Sequence, residues 1–230
     1  MAKKKKSGAQ LDTGFQTVEG SISKAEQFLE KYQKQLTIAA LVILAIVGLV
    51  FAYKQFYLKP LEEEVQEQMF VAQQYFERDS FDLALNGDGD YPGFIQIIDD
   101  YGSTGAGNLA KYYAGVSLFK LGEYDNAIDY LSGFSTNDKL LAPVSNGCIG
   151  DAYVELGDLE SASKFYKKAS DESENSLTGP VFLMKYGRVN EELGNWDEAL
   201  KAYETIKKEY IESDEGRVIE KFITRAKLNL

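Results

Sequence analysis

Four short phrases constrain the fold of this chain more than any other feature: GDYPGFIQII from Gly89, GEYDNAIDYL from Gly122, GDLESASKFY from Gly157 and GNWDEALKAY from Gly194. Their glycines are spaced by 33, 35 and 37 residues. Recurrence at such an interval marks a repeat architecture, in which one unit cannot bury its apolar face alone and so stacks on its neighbours. Gly122, Gly157 and Gly194 read as the stops of a first helix, where a left-handed residue is wanted. Pro143 and Pro180 read as the first residue of a helix, where a missing amide proton costs nothing. The chain is therefore expected to be all-α.

The phrases resemble the tetratricopeptide repeat (TPR), a helix–turn–helix unit of ~34 residues. With the turn glycine at position 15 of the unit, Gly115, Gly150 and Gly187 fall at position 8 and Ala127, Ala162 and Ala199 at position 20. Tyr124 and Trp196 fall at position 17, and Tyr166 and Tyr203 at position 24. Small residues at 8 and 20 let paired helices approach closely, while the aromatics are expected to fill the gap to the next hairpin. The resemblance implies a TPR-like α-solenoid over 60–230, with units near 75–107, 108–142, 143–179 and 180–212 and a capping helix over 215–228. Gly89 is expected to turn the first, degenerate unit. Val218, Phe222 and Ile223 are expected to share the face of the closing helix, whose start Ser213 or Asp214 could cap.

Residues 36–53 (LTIAALVILAIVGLVFAY) are eighteen residues without a charge. As a helix at ~1.5 Å per residue they extend about 27 Å, close to the roughly 30 Å hydrocarbon core of a bilayer. A transmembrane helix is expected there, within a membrane-associated segment 22–58. Residues 22–35 place Ile22, Phe28, Leu29 and Tyr32 near one stripe, as an interfacial helix would. Residues 1–21 read as a basic, unstructured tail. Seven lysines precede the span, whereas Lys54 and Lys59 alone follow closely. The positive-inside rule then leaves the N-terminus cytoplasmic and carries 60–230 across the membrane.

Charge and composition exclude several function classes. The chain holds 25 basic and 36 acidic residues, a net charge of −11. Residues 1–35 have a surplus of three positive charges, so the remainder stands at −14. Such a body repels phosphates, and nucleic acid is not expected as a partner. No histidine is present, which removes the usual general base and the commonest zinc ligand. The single cysteine, Cys148, cannot form an intramolecular disulfide and reads as a small helix-packing residue. Asn86, Asp88 and Asp90 imitate the opening of a calcium loop, but Tyr91 and Ile97 stand where glycine and glutamate are required. Neither a phosphate loop nor a dinucleotide fingerprint appears. No catalytic residue, metal, cofactor or small-molecule substrate is expected.

In TPR families the concave surface is lined by first-helix positions 2, 5, 9, 12 and 13. Carried over by register, these positions nominate Leu109, Tyr112, Val116, Phe119 and Lys120 in the second unit. They nominate Asp151, Val154 and Glu155 in the third, and Met184, Arg188 and Glu192 in the fourth. One end of the groove would be apolar and aromatic, the other acidic, suiting extended or partly unfolded protein segments. The whole layout resembles the ancillary-subunit family of the SecYEG translocon (YfgM-like). That resemblance implies a bacterial inner-membrane protein with a periplasmic TPR domain, a scaffold near the translocon that passes secreted chains to periplasmic chaperones. A TPR adaptor for envelope assembly or cell division is the alternative.

Overall fold

The computed structural model describes the backbone of residues 8–173 and 175–230, with side chains from Glu30 onward. The expected basic tail 1–21, and Ile22, Phe28 and Leu29 of the expected interfacial stripe, lie outside the residues whose side chains are described. The chain divides into two compact units, one ending at Tyr57 and the other spanning Leu58–Leu230. Among the described residues there is no strand, and the isolated bridge Gly87↔Pro92 is the extended pairing they show.

The first unit contains α1 (Gly8–Tyr53) and all but the last residue of a π-helical turn over Lys54–Leu58. An eighteen-residue window within the helical stretch Glu30–Glu77 has a mean hydropathy of 2.7, and none of it is buried. Leu44, Leu49 and Phe51 are all more than 60% exposed. By length and composition this helix can cross a membrane.

The second unit is built of α2 (Lys59–Glu77), α3 (Phe81–Asn86), α4 (Phe94–Tyr101), α5 (Gly105–Leu121) and α6 (Tyr124–Ser132). It continues with α7 (Leu141–Glu155), α8 (Leu159–Glu172), α9 (Gly179–Glu192), α10 (Trp196–Glu209) and α11 (Asp214–Leu228). The helices form a TPR-like solenoid in which successive hairpins stack. Their cores follow the helical period: α2 buries Val65, Met69 and Ala72, and α10 buries Ala199, Ala202, Tyr203 and Ile206. The buried residues gather in three successive clusters, as stacked units with neighbour contacts require.

Gly122, Gly157 and Gly194 are the inter-helix corners, with φ of 82°, 77° and 75°. At each corner the amide that follows the glycine donates back to a carbonyl of the helix's last turn: Glu123 to Leu118 and Asp158 to Tyr153 at 2.9 Å, and Asn195 to Asn190 at 2.8 Å. The first hairpin departs from expectation. Its corner is Asp79 (φ 57°), between α2 and α3, and Ser80 donates to Tyr75 at 2.9 Å as the equivalent amides do. Gly89 lies instead in the loop that breaks the second helix into α3 and α4. Two positions explain the mistaken register. The loop also needs a positive-φ glycine (Gly89, φ 96°), so its local phrase imitates a corner. The real corner uses aspartate, a short polar residue that tolerates the left-handed region. The small pair of this hairpin is Ala72 and Ala84, both buried and twelve residues apart, as are Gly115 and Ala127, Gly150 and Ala162, and Gly187 and Ala199.

The aromatics at position 24 face two ways. Tyr166 packs in one cluster with Phe182 and Tyr186 of the next hairpin, and Tyr203 in one with Ile219 and Ile223 of α11, while each ring also lies over the glycine of its own hairpin. A Cβ on Gly150 would stand 2.7 Å from the Tyr166 ring, and one on Gly187 2.3 Å from the Tyr203 ring. Pro143 is the third rather than the first residue of α7, because Asp138 opens that helix: its Oδ1 accepts from the amides of Leu140 (2.8 Å) and Leu141 (2.9 Å). In α11, Ser213 caps the start by accepting from Gly216 N at 3.0 Å. The buried face there is Gly216, Ile219, Ile223 and Ala226, while Val218 is 45% exposed. The pattern i, i+3, i+7, i+10 centres the stripe one residue beyond Val218.

Candidate partner-binding groove

The nominated groove residues stand on α5, α7 and α9, the first helices of three hairpins. The structure divides them into three groups. Leu109 and Phe119 pack against the first core cluster, Val154 against the second and Met184 against the third. These four are half-buried and contribute to stacking as well as to the surface. Tyr112 and Val116 are half-buried. The Tyr112 ring lies 5.6 Å from that of Phe134, which extends the aromatic end of the surface. Burial pushes the Tyr112 hydroxyl up to about 12, so it remains a neutral donor throughout the physiological range.

Asp151 belongs to neither the free acids nor the core. Its carboxylate accepts from Lys185 Nζ at 2.6 and 2.8 Å and from the Tyr166 hydroxyl at 2.6 Å. Lys185 Nζ also sits 5.6 Å above the centre of the Tyr166 ring. The three groups join α7, α8 and α9 in one charge-compensated knot, with the carboxylate and the ammonium 29% and 37% exposed. Burial and the adjacent Asp151 carboxylate both raise the Tyr166 hydroxyl well above its ordinary range. The acidic end of the nominated surface is correspondingly weaker than the sequence suggests. Glu191, on the same face of α9, is likewise engaged by Arg225 of the closing helix, which donates from Nε at 3.0 Å and from Nη2.

Lys185 and Arg225 were not nominated by register. The signal that finds them is their separation: each stands 34 residues beyond the acid it holds. That separation is one repeat length, which sets side chains of successive hairpins beside each other.

Lys120, Glu155, Arg188 and Glu192 are exposed, and among the described residues they carry neither hydrogen bond nor ion pair. These four are the charges the surface leaves available. Cys148, on α7 near Tyr112 and Asp151, is half-buried, and burial pushes its thiol up to about 11. At neutral pH it is a protonated packing residue rather than a nucleophile.

The calcium-like segment is occupied by its own loop. Asp88 Oδ1 accepts from the amides of Asp90 (3.0 Å) and Tyr91 (2.8 Å), and its Oδ2 accepts from the Tyr75 hydroxyl (2.6 Å). These donors hold the Asp88 carboxyl below the usual carboxylate range.

Corner geometry, small pairs at a twelve-residue separation and a surface of first-helix side chains define a TPR-like helical solenoid. Comparison with known proteins agrees: a tetratricopeptide repeat family model matches residues 109–137 and 182–213, and a second tetratricopeptide repeat model matches 149–176. Among solved structures, the chain is similar to a crystal structure of nearly identical TPR-like repeats from Podosopora anserina, described there as a kinesin light chain. The TM-score is 0.55 at 13% identity, over 73% of this chain and 87% of that one. That likeness concerns the fold. No curated protein matches the sequence. The chain carries TPR repeats, and TPR repeats are scaffolds for binding other proteins.

Proposed function

We propose that this chain is a single-pass membrane protein whose repeat domain binds extended protein segments on the far side of the membrane from its lysine-rich end. The observation that carries the reading is the set of nominated side chains: an aromatic shelf of Tyr112 and Phe134, together with four exposed first-helix charges whose side chains have no partner among the described residues. A shelf with sparse, unpaired charges suits chains of varied sequence, because it asks for apolar contact and little defined geometry. The apolar, unburied helix supports the membrane half of the reading, and the lysine bias supports a cytoplasmic N-terminus and a periplasmic repeat domain in a bacterial inner membrane. The resemblance in layout supports an assignment beside the Sec translocon, receiving secreted chains and passing them to periplasmic chaperones.

Photocrosslinking from position 112 or 116 in cells tests the groove. Adducts with nascent secreted chains, translocon subunits or periplasmic chaperones are expected. Adducts confined to cell-wall or division proteins would move the protein to an envelope-assembly role. Protease treatment of spheroplasts tests the orientation: the repeat domain should be cut along with a periplasmic control, and protection would reverse the topology.

A further inference from the structure

We infer that Tyr53, Phe56 and Tyr57 form an aromatic collar that sits in the lipid headgroup layer and fixes the depth of the apolar helix. The inference rests on reading that helix as a membrane span and specifies how the span is held.

The side chains are displayed rather than packed. Tyr53 is 50% exposed, Phe56 80% and Tyr57 57%, and the π-helical turn that carries Phe56 and Tyr57 buries none of its residues. The rings of Tyr53 and Tyr57 stack on each other, with centroids 5.2 Å apart and planes 20° from parallel. Two tyrosines in this arrangement form a plate with apolar faces and two hydroxyl tips. A plate of that kind is poorly served by water and poorly served by hydrocarbon. It is best served at the boundary, where faces meet acyl chains and hydroxyls meet headgroups. Lys54 lies in the same turn, and its ammonium suits lipid phosphate.

Length agrees with this placement. At the other end of the apolar stretch, Lys31 Nζ lies 5.3 Å over the Tyr32 ring. From Tyr32 to Tyr53 is 21 residues of helix, about 32 Å at ~1.5 Å per residue, against a hydrocarbon core of roughly 30 Å. Both tyrosine positions therefore reach headgroup level together. The charge-free run 36–53 is flanked by Lys34 and Lys54, which limit sliding along the bilayer normal to about a helical turn, the reach over which their side chains can snorkel. The aromatic turn narrows that range to one depth.

The test uses the full chain with Cys148→Ala and single cysteines placed in turn at positions 48–60. The protein is reconstituted in phosphatidylcholine–phosphatidylglycerol vesicles and labelled with a membrane-impermeant maleimide. Labelling should begin abruptly near position 57. The combined substitution Tyr53→Ala, Phe56→Ala and Tyr57→Ala should move that boundary by three residues or more, and replacing the same three by Trp should restore it. A boundary that stays in place in the alanine variant overturns the collar while leaving the span intact. Protection near 57 that fades on dilution with lipid assigns the plate to a second copy and also overturns the collar. Labelling throughout 48–53 means that the helix does not span at all, a failure of the parent reading rather than of the collar.

Discussion

The carboxylate of Asp151 on α7 is held by the ammonium of Lys185 on α9, at 2.6 and 2.8 Å, one repeat length further along the chain. The pair is partly exposed, so screening keeps its strength below that of a buried pair. Lys185→Met leaves the carboxylate with the Tyr166 hydroxyl alone and is expected to cost about 1 kcal/mol. Urea denaturation of Lys185→Met, Asp151→Asn and the double variant measures the coupling. A coupling indistinguishable from zero would make the pair a surface coincidence.

The glycines at position 8 make a sharper prediction. A methyl group at Gly187 would stand 2.3 Å from the Tyr203 ring, and Tyr203 is fully buried. The ring cannot retreat without displacing its neighbours, so Gly187→Ala should destabilise the domain by about 1–3 kcal/mol, the range for overpacking. Gly187→Ala combined with Tyr203→Leu should recover part of the loss. A thermal melt unchanged by Gly187→Ala would contradict the close approach of α9 and α10.

Asp79 predicts a gain. It is the corner residue with φ 57° where the other three corners use glycine. The left-handed region costs an ordinary residue roughly 1–2 kcal/mol, and aspartate, which tolerates it better, the lower end of that range; glycine's greater unfolded-state freedom offsets roughly 0.5 kcal/mol of the gain. Asp79→Gly should therefore stabilise the first hairpin by about 0.5 kcal/mol, read from the urea midpoint. Asp79→Val, which cannot adopt the left-handed region easily, should destabilise it.

Alkaline pH separates Tyr112 from ordinary surface tyrosines. Burial first, and the nearby Cys148 second, raise its hydroxyl to about 12 from an unfolded value of 10.0. The folded state therefore holds the phenolic proton more tightly than the unfolded state does. The corresponding stability is complete below about pH 10 and is lost as pH rises towards 12. Tyr112→Phe removes this contribution, and its stability should fall less steeply than that of the parent between pH 10 and 12. Parallel pH profiles for the two proteins would show that Tyr112 is solvated.

Much of the solenoid is legible in the residues themselves. Gly122, Gly157 and Gly194 announce three corners because a left-handed backbone is a local requirement that glycine meets at little steric cost. The missed first corner shows the limit of that rule. Asp79 meets the same requirement with a different residue, and Gly89 meets a different requirement with the same one. The buried pair Ala72 and Ala84, read at its twelve-residue separation, carries the correct register.

Local chemistry in the sequence thus determined the helical class, the period of the hairpins and the apolar stretch able to cross a bilayer, since each depends on side chains close together along the chain. Tertiary structure alone decided which charges of the proposed groove stay unpaired. Asp151 and Glu191 look as free as Glu155 and Glu192 until Lys185 and Arg225 arrive from the next helical pair. Whether a carboxylate is neutralised depends on what stands within a few ångströms of it, and in a stacked array that neighbour lies a whole repeat away in the chain.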